Sequence, residues 1–265
     1  MPRFEPHPQR RPAVVAGASS GIGAATAAAL AQAGFPVALG ARRAERCEEL
    51  AATIRSQGGE AIGLELDVAD DDSVSEFTAA VTRDLGPVEV LICSAGDLEA
   101  ELIHRLDSAA FVSQLQVQLA GVHRLVAAVV PEMVQRRRGD VVFVSSDVVR
   151  SPRPRMGAYV AAKHGVEGMA RAMQMELEGT GVRASVVRPG PTSTEMGTRW
   201  EPLTLQAVLD DWASWGLARH PYFLRPSDVA AAVLAVVSTP RGAHLTLVEV
   251  EPEAPLSGSC WPGGE

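Results

Sequence analysis

Residues 13–23 have the sequence Ala-Val-Val-Ala-Gly-Ala-Ser-Ser-Gly-Ile-Gly, in which an apolar run passes directly into three closely spaced glycines. The run from Ala13 to Ala18 predicts a short strand, and the alanine-rich segment from Ile22 to Ala33 predicts a helix that ends at Gly34. Glycines at such a junction let the backbone approach a ligand closely, and the helix N-terminus offers free N–H groups. The stretch therefore predicts a loop that binds the pyrophosphate of a dinucleotide. The alternative is a glycine turn that serves only the packing of helix on strand.

Apolar runs and helical segments alternate along the rest of the chain. Further strands are predicted at 35–40, 61–66, 88–93, 140–145, 183–188 and 243–250, and further helices at 44–57, 71–85, 106–136 and 157–178. The helix over 106–136 is expected to be interrupted near Ser108. Because the strand segments are continuously apolar, we expect them to be buried on both faces. Repeated strand–helix units of this kind predict an α/β fold with a doubly wound parallel sheet of the Rossmann type.

The 265 residues fit one large domain, expected over 13–255. Residues 1–12 hold three arginines and four prolines without an apolar signal core, and we expect a flexible leader there. The alternation pauses over 196–226, where the chain emerges from the carboxyl edge of the sheet. This segment is predicted to be a helical lid over the substrate, and residues 256–265 to be a frayed tail.

Composition excludes several classes of function. The net charge of −8 argues against a surface for nucleic acid, and no uninterrupted apolar run reaches the length of a membrane span. The three cysteines, Cys47, Cys93 and Cys260, have no metal-binding spacing. We therefore expect no bound metal, and reduced thiols in a cytoplasmic protein.

The residues after the second strand bear on the choice of cofactor. A site for NAD usually has an acidic residue there, which accepts from the ribose 2′-OH. Here Ala41 occupies that position, and Arg42 and Arg43 follow. A guanidinium binds a 2′-phosphate through charge-assisted hydrogen bonds, so the sequence favours NADP(H) over NAD(H). Ordinary surface charge at the start of a helix is the alternative.

Tyr159 and Lys163 lie four residues apart, which is about one helical turn, so both side chains can reach the same ligand. A nearby ammonium favours the phenolate, and we expect it to lower the pKa of the tyrosine. Ser146 follows a predicted strand, thirteen residues before Tyr159. Together the three side chains predict a site that gives a proton to a carbonyl oxygen. Two exposed polar residues on a helix are the alternative.

From Ala13 to Val250, the order of these motifs resembles that of the short-chain dehydrogenase/reductase family. The resemblance rests on the glycine loop, Asp67 after the third strand, the trio Ser146, Tyr159 and Lys163, and Pro189-Gly190 after the sixth strand. It implies that the cofactor contacts Gly17, Ser19, Ser20, Gly21, Ile22, Gly23, Arg42, Arg43, Asp67, Val68, Ser94, Ala95, Gly96, Tyr159, Lys163, Pro189, Gly190, Thr192 and Thr194.

The mechanism that this resemblance implies is hydride transfer between the nicotinamide C4 and the carbon of a ketone or secondary alcohol. Tyr159 is the expected proton donor or acceptor, Lys163 the residue that activates it, and Ser146 the residue that positions the carbonyl. Two positions depart from the family pattern. Cys93 replaces an asparagine of the turn after the fourth strand, and Gln118 stands where a catalytic asparagine usually holds a relay water. Gln118 is predicted to take that role, or merely to bridge backbone groups.

The predicted lid is rich in aromatic side chains, namely Trp200, Trp212, Trp215, Tyr222 and Phe223. They suggest an apolar substrate, with anchoring of the lid or a subunit interface as equal alternatives. The arginines of 152–155 are expected to meet an acidic substrate or to be solvated. A non-catalytic dinucleotide-binding regulator, and an isomerase or dehydratase, are alternative functions on the same fold.

The helices predicted over 106–136 and 157–178 carry apolar residues on more than one face. These residues are Val122, Leu125, Val126, Val129 and Met133 on the first helix and Val166, Met169, Ala170, Met173 and Leu177 on the second. A helix that covers one side of a sheet needs only one apolar stripe. We therefore expect a homodimer or homotetramer built on these helices.

Overall fold

The computed structural model describes residues 4–196, 200–217 and 220–254. Its strands are β1 (Ala13–Ala16), β2 (Val37–Ala41), β3 (Ala61–Glu65), β4 (Val90–Cys93), β5 (Gly139–Val144), β6 (Val182–Pro189) and β7 (Leu247–Val250). Its α-helices are α1 (Gly21–Gln32), α2 (Ala44–Ser56), α3 (Asp71–Leu85), α4 (Ser108–Leu115), α5 (Gly121–Gln135), α6 (Gly157–Glu176), α7 (Pro202–Ser214) and α8 (Pro226–Ser238).

The strands form one parallel sheet in the order β3-β2-β1-β4-β5-β6-β7. Ala16 at the end of β1 pairs with Gly40 on one side and with Cys93 on the other. The order reverses between β1 and β4, and ligands of doubly wound sheets bind at the carboxyl end of such a reversal. The predicted Rossmann-type α/β fold is therefore confirmed, with its glycine loop at the reversal.

Helices cover both faces of the sheet. Phe143 and Leu91 pack on one face against α3, α5 and α6, while Leu39 and Val142 pack on the other against α1, α2 and α8. β1, β2, β4, β5 and β6 are buried along their whole length, as predicted. β3 and β7 are only partly buried because they lie at the two edges of the sheet, so the expectation of full burial is wrong for them. Helices α7 and α8 had no counterpart among the predicted helices, apart from the general expectation of a helical lid.

The helical stretch over 108–135 differs from its prediction. It begins at Ser108, two residues later than expected, because the Asp107 carboxylate caps the backbone N–H groups of Ala109 and Ala110. It does not break near Ser108. Instead, a π-helical turn at Gln116–Ala120 joins α4 to α5.

The continuous helical stretch Ser108–Gln135 has 28 residues and a mean hydropathy of 1.3 in its most apolar part. By length and composition alone, it would be sufficient to cross a membrane. Its inward residues Leu125 and Met133 are fully buried against the sheet, and 39% of its most apolar 18 residues is buried inside the domain. The expectation of no membrane partner stays a prediction.

The apolar residues assigned to a subunit interface lie inside the domain. Val122, Leu125, Val129, Met133 and Val166 are all buried in the core on one face of the sheet. The same core takes up Ala170, Met173 and Leu177, with Val126 and Met169 packed at its edge. The two helices are broadly apolar because each packs against the sheet and its neighbouring helices at once. Eight of the ten residues are therefore buried within the chain and unavailable to a partner subunit, whereas Val126 and Met169 are partly buried. The homodimer or homotetramer stays a prediction.

Two residues of the predicted flexible leader, His7 and Arg11, are bonded to the domain. Arg11 is 6% exposed, pairs with Asp140 and donates to the carbonyl oxygen of Val237 at 2.7 Å. His7 bonds the carbonyl oxygen of Thr239 at 3.0 Å. The expectation of a flexible leader over 1–12 is therefore corrected at His7 and Arg11, which are bonded to the domain, and stays a prediction for residues 4–6. Residues 1–3 and the predicted tail 256–265 lie outside the described residues.

Candidate active site

A cavity of about 820 Å³ opens at the carboxyl end of the sheet, beside the reversal of strand order. The glycine loop and the turns after β2, β3 and β4 line one part of it. Ser146, Tyr159, Lys163 and the lid line the other part. All predicted cofactor-binding residues and the predicted catalytic trio therefore lie on one cavity, whereas Gln118 is absent from its lining.

The glycine loop is too tight for side chains. Gly17 has φ +87°, and a Cβ atom there would lie 2.7 Å from the backbone of Ala95. A Cβ atom at Gly23 would lie 2.2 Å from the carbonyl oxygen of Gly17. The loop thus presents bare backbone and the N-terminus of α1 to the cavity, which fits the pyrophosphate of a dinucleotide.

Arg42 and Arg43 have different environments. Arg42 is exposed at the cavity and makes no hydrogen bond or ion pair with any residue that the structure describes. Arg43 donates to the hydroxyl oxygens of Ser19 and Ser20 at 2.9 Å and pairs with Glu195, also at 2.9 Å. Arg42 is therefore the guanidinium that is free to bind a phosphate group, while Arg43 braces the glycine loop.

The turns that follow β3 and β6 also reach the cavity. Asp67 accepts the backbone N–H of Ala69 at 2.9 Å, which fixes its carboxylate at the rim. The backbone N–H of Gly190 donates to Val250 at 2.8 Å, and the Thr192 hydroxyl donates to the carbonyl oxygen of Gly190 at 2.9 Å. These bonds fix the backbone on which Thr192 faces the cavity.

Three elements bring Ser146, Tyr159 and Lys163 together. Ser146 follows β5 and caps a 3₁₀ turn over 147–149, where its Oγ accepts the backbone N–H of Val148 at 3.3 Å. Tyr159 and Lys163 lie on α6, with the Lys163 Nζ 5.4 Å from the centre of the tyrosine ring. The ammonium donates to the carbonyl oxygen of Val144 at 2.9 Å, and Ser146 lines the same cavity as the phenol. Each side chain is less than one-tenth exposed.

Burial shifts the pKa values of Tyr159 and Lys163 in opposite directions. It raises the pKa of Tyr159 to about 12, against the opposing effect of the Ser146 hydrogen bond. Burial likewise lowers the pKa of Lys163 to about 8. The pKa of Tyr159 therefore lies above its ordinary value and not below it as expected, because burial is the largest influence on the phenol.

Gln118 lies behind the cavity wall. It is fully buried, and its Nε2 donates to the carbonyl oxygen of Asp97 at 2.7 Å. Its Oε1 has no partner among the described residues, and a Cβ atom at Gly96 would lie 3.2 Å from it. These contacts agree with the alternative interpretation, in which the amide supports the backbone of the turn after β4.

The lid closes over the cavity through two of its tryptophans. The Trp200 Nε1 donates to the carbonyl oxygen of Leu98 at 2.9 Å, and Trp212 packs with Val208 in a small apolar cluster that includes Tyr159. Trp215 is 71% exposed and does not line the cavity. Most of the remaining lining on this side is apolar, namely Leu98, Val148, Met156, Met196, Leu205, Leu209 and Phe223.

The two arginines of 152–155 neither face solvent nor stay free for an acidic substrate. Arg153 is 7% exposed and forms a two-point ion pair with Asp147, with one contact at 2.9 Å. Arg155 pairs with Asp211 on α7 at 2.9 Å. Sequence reasoning missed these pairs because their partners come from separate segments and no motif links them.

A second buried network, made of ion pairs and hydrogen bonds, lies beside the site. Glu167, one turn after Lys163 on α6, accepts from Arg188 at 2.7 Å and from the Ser145 hydroxyl at 2.7 Å. The Arg188 guanidinium also pairs with Glu249 on β7. This network fixes α6 against the ends of β5 and β6, and thereby fixes Lys163 relative to Ser146.

Comparison with known proteins agrees with this fold and site. Residues 11–203 match the family model described as short chain dehydrogenase, and the chain belongs to this family of oxidoreductases. It is 30% identical over 241 residues to 2,3-dihydro-2,3-dihydroxybenzoate dehydrogenase of Bacillus subtilis, covering 89% of this chain and 91% of that one. It is 30% identical to an alcohol dehydrogenase of the archaeon Thermococcus sibiricus, solved with 5-hydroxy-NADP, with a TM-score of 0.79 over 91% of this chain and 96% of that one.

A longer relative matches as well. Glycine betaine reductase ATRR of Emericella nidulans is 34% identical over 240 residues, which are 91% of this chain. The chain spans only 18% of the length of that relative.

Proposed function

We propose that this chain is an NADP-dependent oxidoreductase that interconverts a ketone and a secondary alcohol. The observation that carries the proposal is that Ser146, Tyr159 and Lys163 face the same cavity as the glycine loop. NADPH would bind along the loop and supply the hydride. A non-catalytic dinucleotide-binding regulator would be favoured by loss of Tyr159 or Lys163, and both are present.

The side chains support a simple division of work. The Tyr159 phenol donates its proton to the carbonyl oxygen while the carbonyl carbon is reduced, and takes a proton back from the alcohol in the reverse direction. The Ser146 hydroxyl, which donates to Asp147 in the structure, would turn to donate to the same oxygen and orient it. With a pKa of about 8, Lys163 is mainly protonated at neutral pH, so it stabilises the phenolate formed on Tyr159.

The wall formed by the lid favours an apolar substrate. Leu205, Leu209 and Phe223 line the cavity and are between 42% and 46% exposed, so its mouth is apolar as well. Burial of such a substrate also excludes water from the reacting atoms. A panel of cyclic, aromatic and aliphatic ketones with NADPH, followed by nicotinamide absorbance, tests this assignment. The proposal fails if no ketone or secondary alcohol reacts with either cofactor.

Exchange of Arg42 for alanine is expected to weaken NADPH binding by about ten- to a hundredfold and to leave NADH binding unchanged. The reason is the loss of a charge-assisted contact to the 2′-phosphate, which contributes roughly 1.5–3 kcal/mol. Titration of the fluorescence of the reduced cofactors measures both dissociation constants. The matched control is Arg55→Ala, at the other end of α2, where the guanidinium pairs with exposed Glu48. Equal affinities for NADPH and NADH in the wild type would contradict the preference.

Substitutions of Gln118 distinguish the two roles predicted for its side-chain amide. If its amide supports the turn at Asp97, Gln118→Ala should lower the melting temperature and leave kcat nearly unchanged. The buried position and the 2.7 Å bond to Asp97 favour this outcome. A relay role predicts instead that Gln118→Ala lowers kcat, and that Gln118→Asn keeps or improves it. Thermal unfolding and steady-state kinetics on both variants decide between the two.

A cytoplasmic location remains a prediction from the cysteine content.

A further inference from the structure

A buried carboxylate lies directly beside the proposed catalytic residues. Asp147 follows Ser146 in the chain and is 5% exposed, and its charge is matched by Arg153, which is 7% exposed. The guanidinium makes one contact to each carboxylate oxygen, that of Nη1 with Oδ1 at 2.9 Å. A buried ion pair seldom stabilises a fold more than apolar residues of the same size would. Fold stability therefore does not explain why this ion pair lies next to a proposed catalytic residue.

The pair connects the catalytic serine to the lid. The Ser146 Oγ donates to Asp147 Oδ1 at 3.1 Å, so the carboxylate sets the direction of the hydroxyl. On its other side, the Arg153 guanidinium stacks on the ring of Trp212 in α7, 4.8 Å from the ring centre. The contacts run continuously from Ser146 through Asp147 and Arg153 to Trp212.

We propose that Arg153 is a positioning residue for the proposed reaction: it neutralises and orients Asp147, which holds the Ser146 hydroxyl and lines the same cavity as Tyr159, and the segment over 200–217 keeps Arg153 in place through Trp212. The inference rests on the proposed oxidoreductase function. Without the guanidinium, an unpaired carboxylate charge would lie near the phenol, which must itself become negatively charged in the reaction. It would also be free to turn away from Ser146.

The charges around Tyr159 are few. Asp147 raises the pKa of the phenol and Arg153 lowers it, so the two effects oppose each other. On its own helix, Lys163 lies over the ring, and the Cys93 thiol of β4 raises the pKa of that lysine. Removal of one member of the pair should therefore move the ionisation of Tyr159 in one direction, and removal of the other should move it in the opposite direction.

The ionisation can be measured without an enzyme assay, because the chain has two tyrosines. In a Tyr222→Phe background, tyrosinate absorbance reports Tyr159 alone. We expect Asp147→Asn to lower the ionisation midpoint by about one pH unit and Arg153→Met to raise it. The double variant should return close to the parent. Trp212→Leu should shift the midpoint in the same direction as Arg153→Met, but by less. Circular dichroism over the same pH range shows where each variant stays folded.

Kinetics supply the second readout. Arg153→Met is expected to lower kcat by at least about tenfold with little change in KM for NADPH, and Arg153→Lys should restore part of it, since it restores charge but not the two-point geometry. Arg155→Met is the matched control, because it removes a contact of the same loop with α7 without touching Asp147. It should leave the midpoint and kcat close to those of the parent.

Shifts in the same direction for Arg153→Met and Asp147→Asn, or no shift in either, would overturn the inference and leave the oxidoreductase proposal intact. Opposite shifts in a protein that reduces no ketone would overturn the oxidoreductase proposal instead, together with the catalytic role of the pair.

Discussion

Tyr159→Phe is expected to lower kcat by about 10²- to 10⁴-fold while the dissociation constant for NADPH stays within about twofold. The substitution removes one oxygen atom and keeps the ring that packs with Val148 and Met156. The site then has no phenol to exchange a proton with the substrate oxygen. The Ser146 hydroxyl remains, but in the proposed mechanism it only donates a hydrogen bond to that oxygen and does not transfer its proton.

The experiment needs both binding and rate measurements on the same variant. Cofactor fluorescence gives the dissociation constant, and single-turnover absorbance of the reduced nicotinamide gives the rate of the chemical step. Tyr222→Phe is the matched control, since Tyr222 is 41% exposed and does not line the cavity. A Tyr159→Phe protein that keeps most of its turnover would show that another group carries the proton.

Asp140→Ala is expected to destabilise the protein by about 3–5 kcal/mol. Asp140 is 2% exposed and accepts from two arginines, from Arg183 at 2.7 Å and from Arg11. Its removal leaves two buried guanidiniums without their carboxylate. The same change should release the segment that carries Arg11, because that ion pair joins it to the start of β5.

Denaturant unfolding at equilibrium measures the loss, and limited proteolysis near residue 11 measures the release of the segment. Glu60→Ala serves as control: it removes an ion pair with Arg10 in which both side chains are about half exposed. Exposed pairs contribute little, so a change of less than about 1 kcal/mol is expected. Equal losses in the free energy of unfolding for the two substitutions would show that the buried ion pairs contribute no more to stability than the exposed one.

Local sequence was sufficient for the sheet and for most of the site. Continuous apolar runs predicted the parallel strands, because a strand covered on both faces has no polar side. The glycine loop could be predicted because its backbone geometry excludes any Cβ atom at Gly17 and Gly23. Tyr159 and Lys163 could be paired because one helical turn fixes their separation.

The tertiary structure alone decided everything that depends on which segments meet. Val166 and Leu125 looked like interface residues in the sequence, but the sheet and the neighbouring helices bury them. Asp147, Arg153 and Trp212 share no motif, yet they form one connected set of contacts beside Ser146. The pKa of Tyr159 also depended on burial, which a neighbouring lysine in the sequence does not reveal. Dihedral limits and helical periodicity act between near neighbours in the chain and can be inferred from it. Desolvation and ion pairing act between neighbours in space, and these are fixed only when the chain has folded.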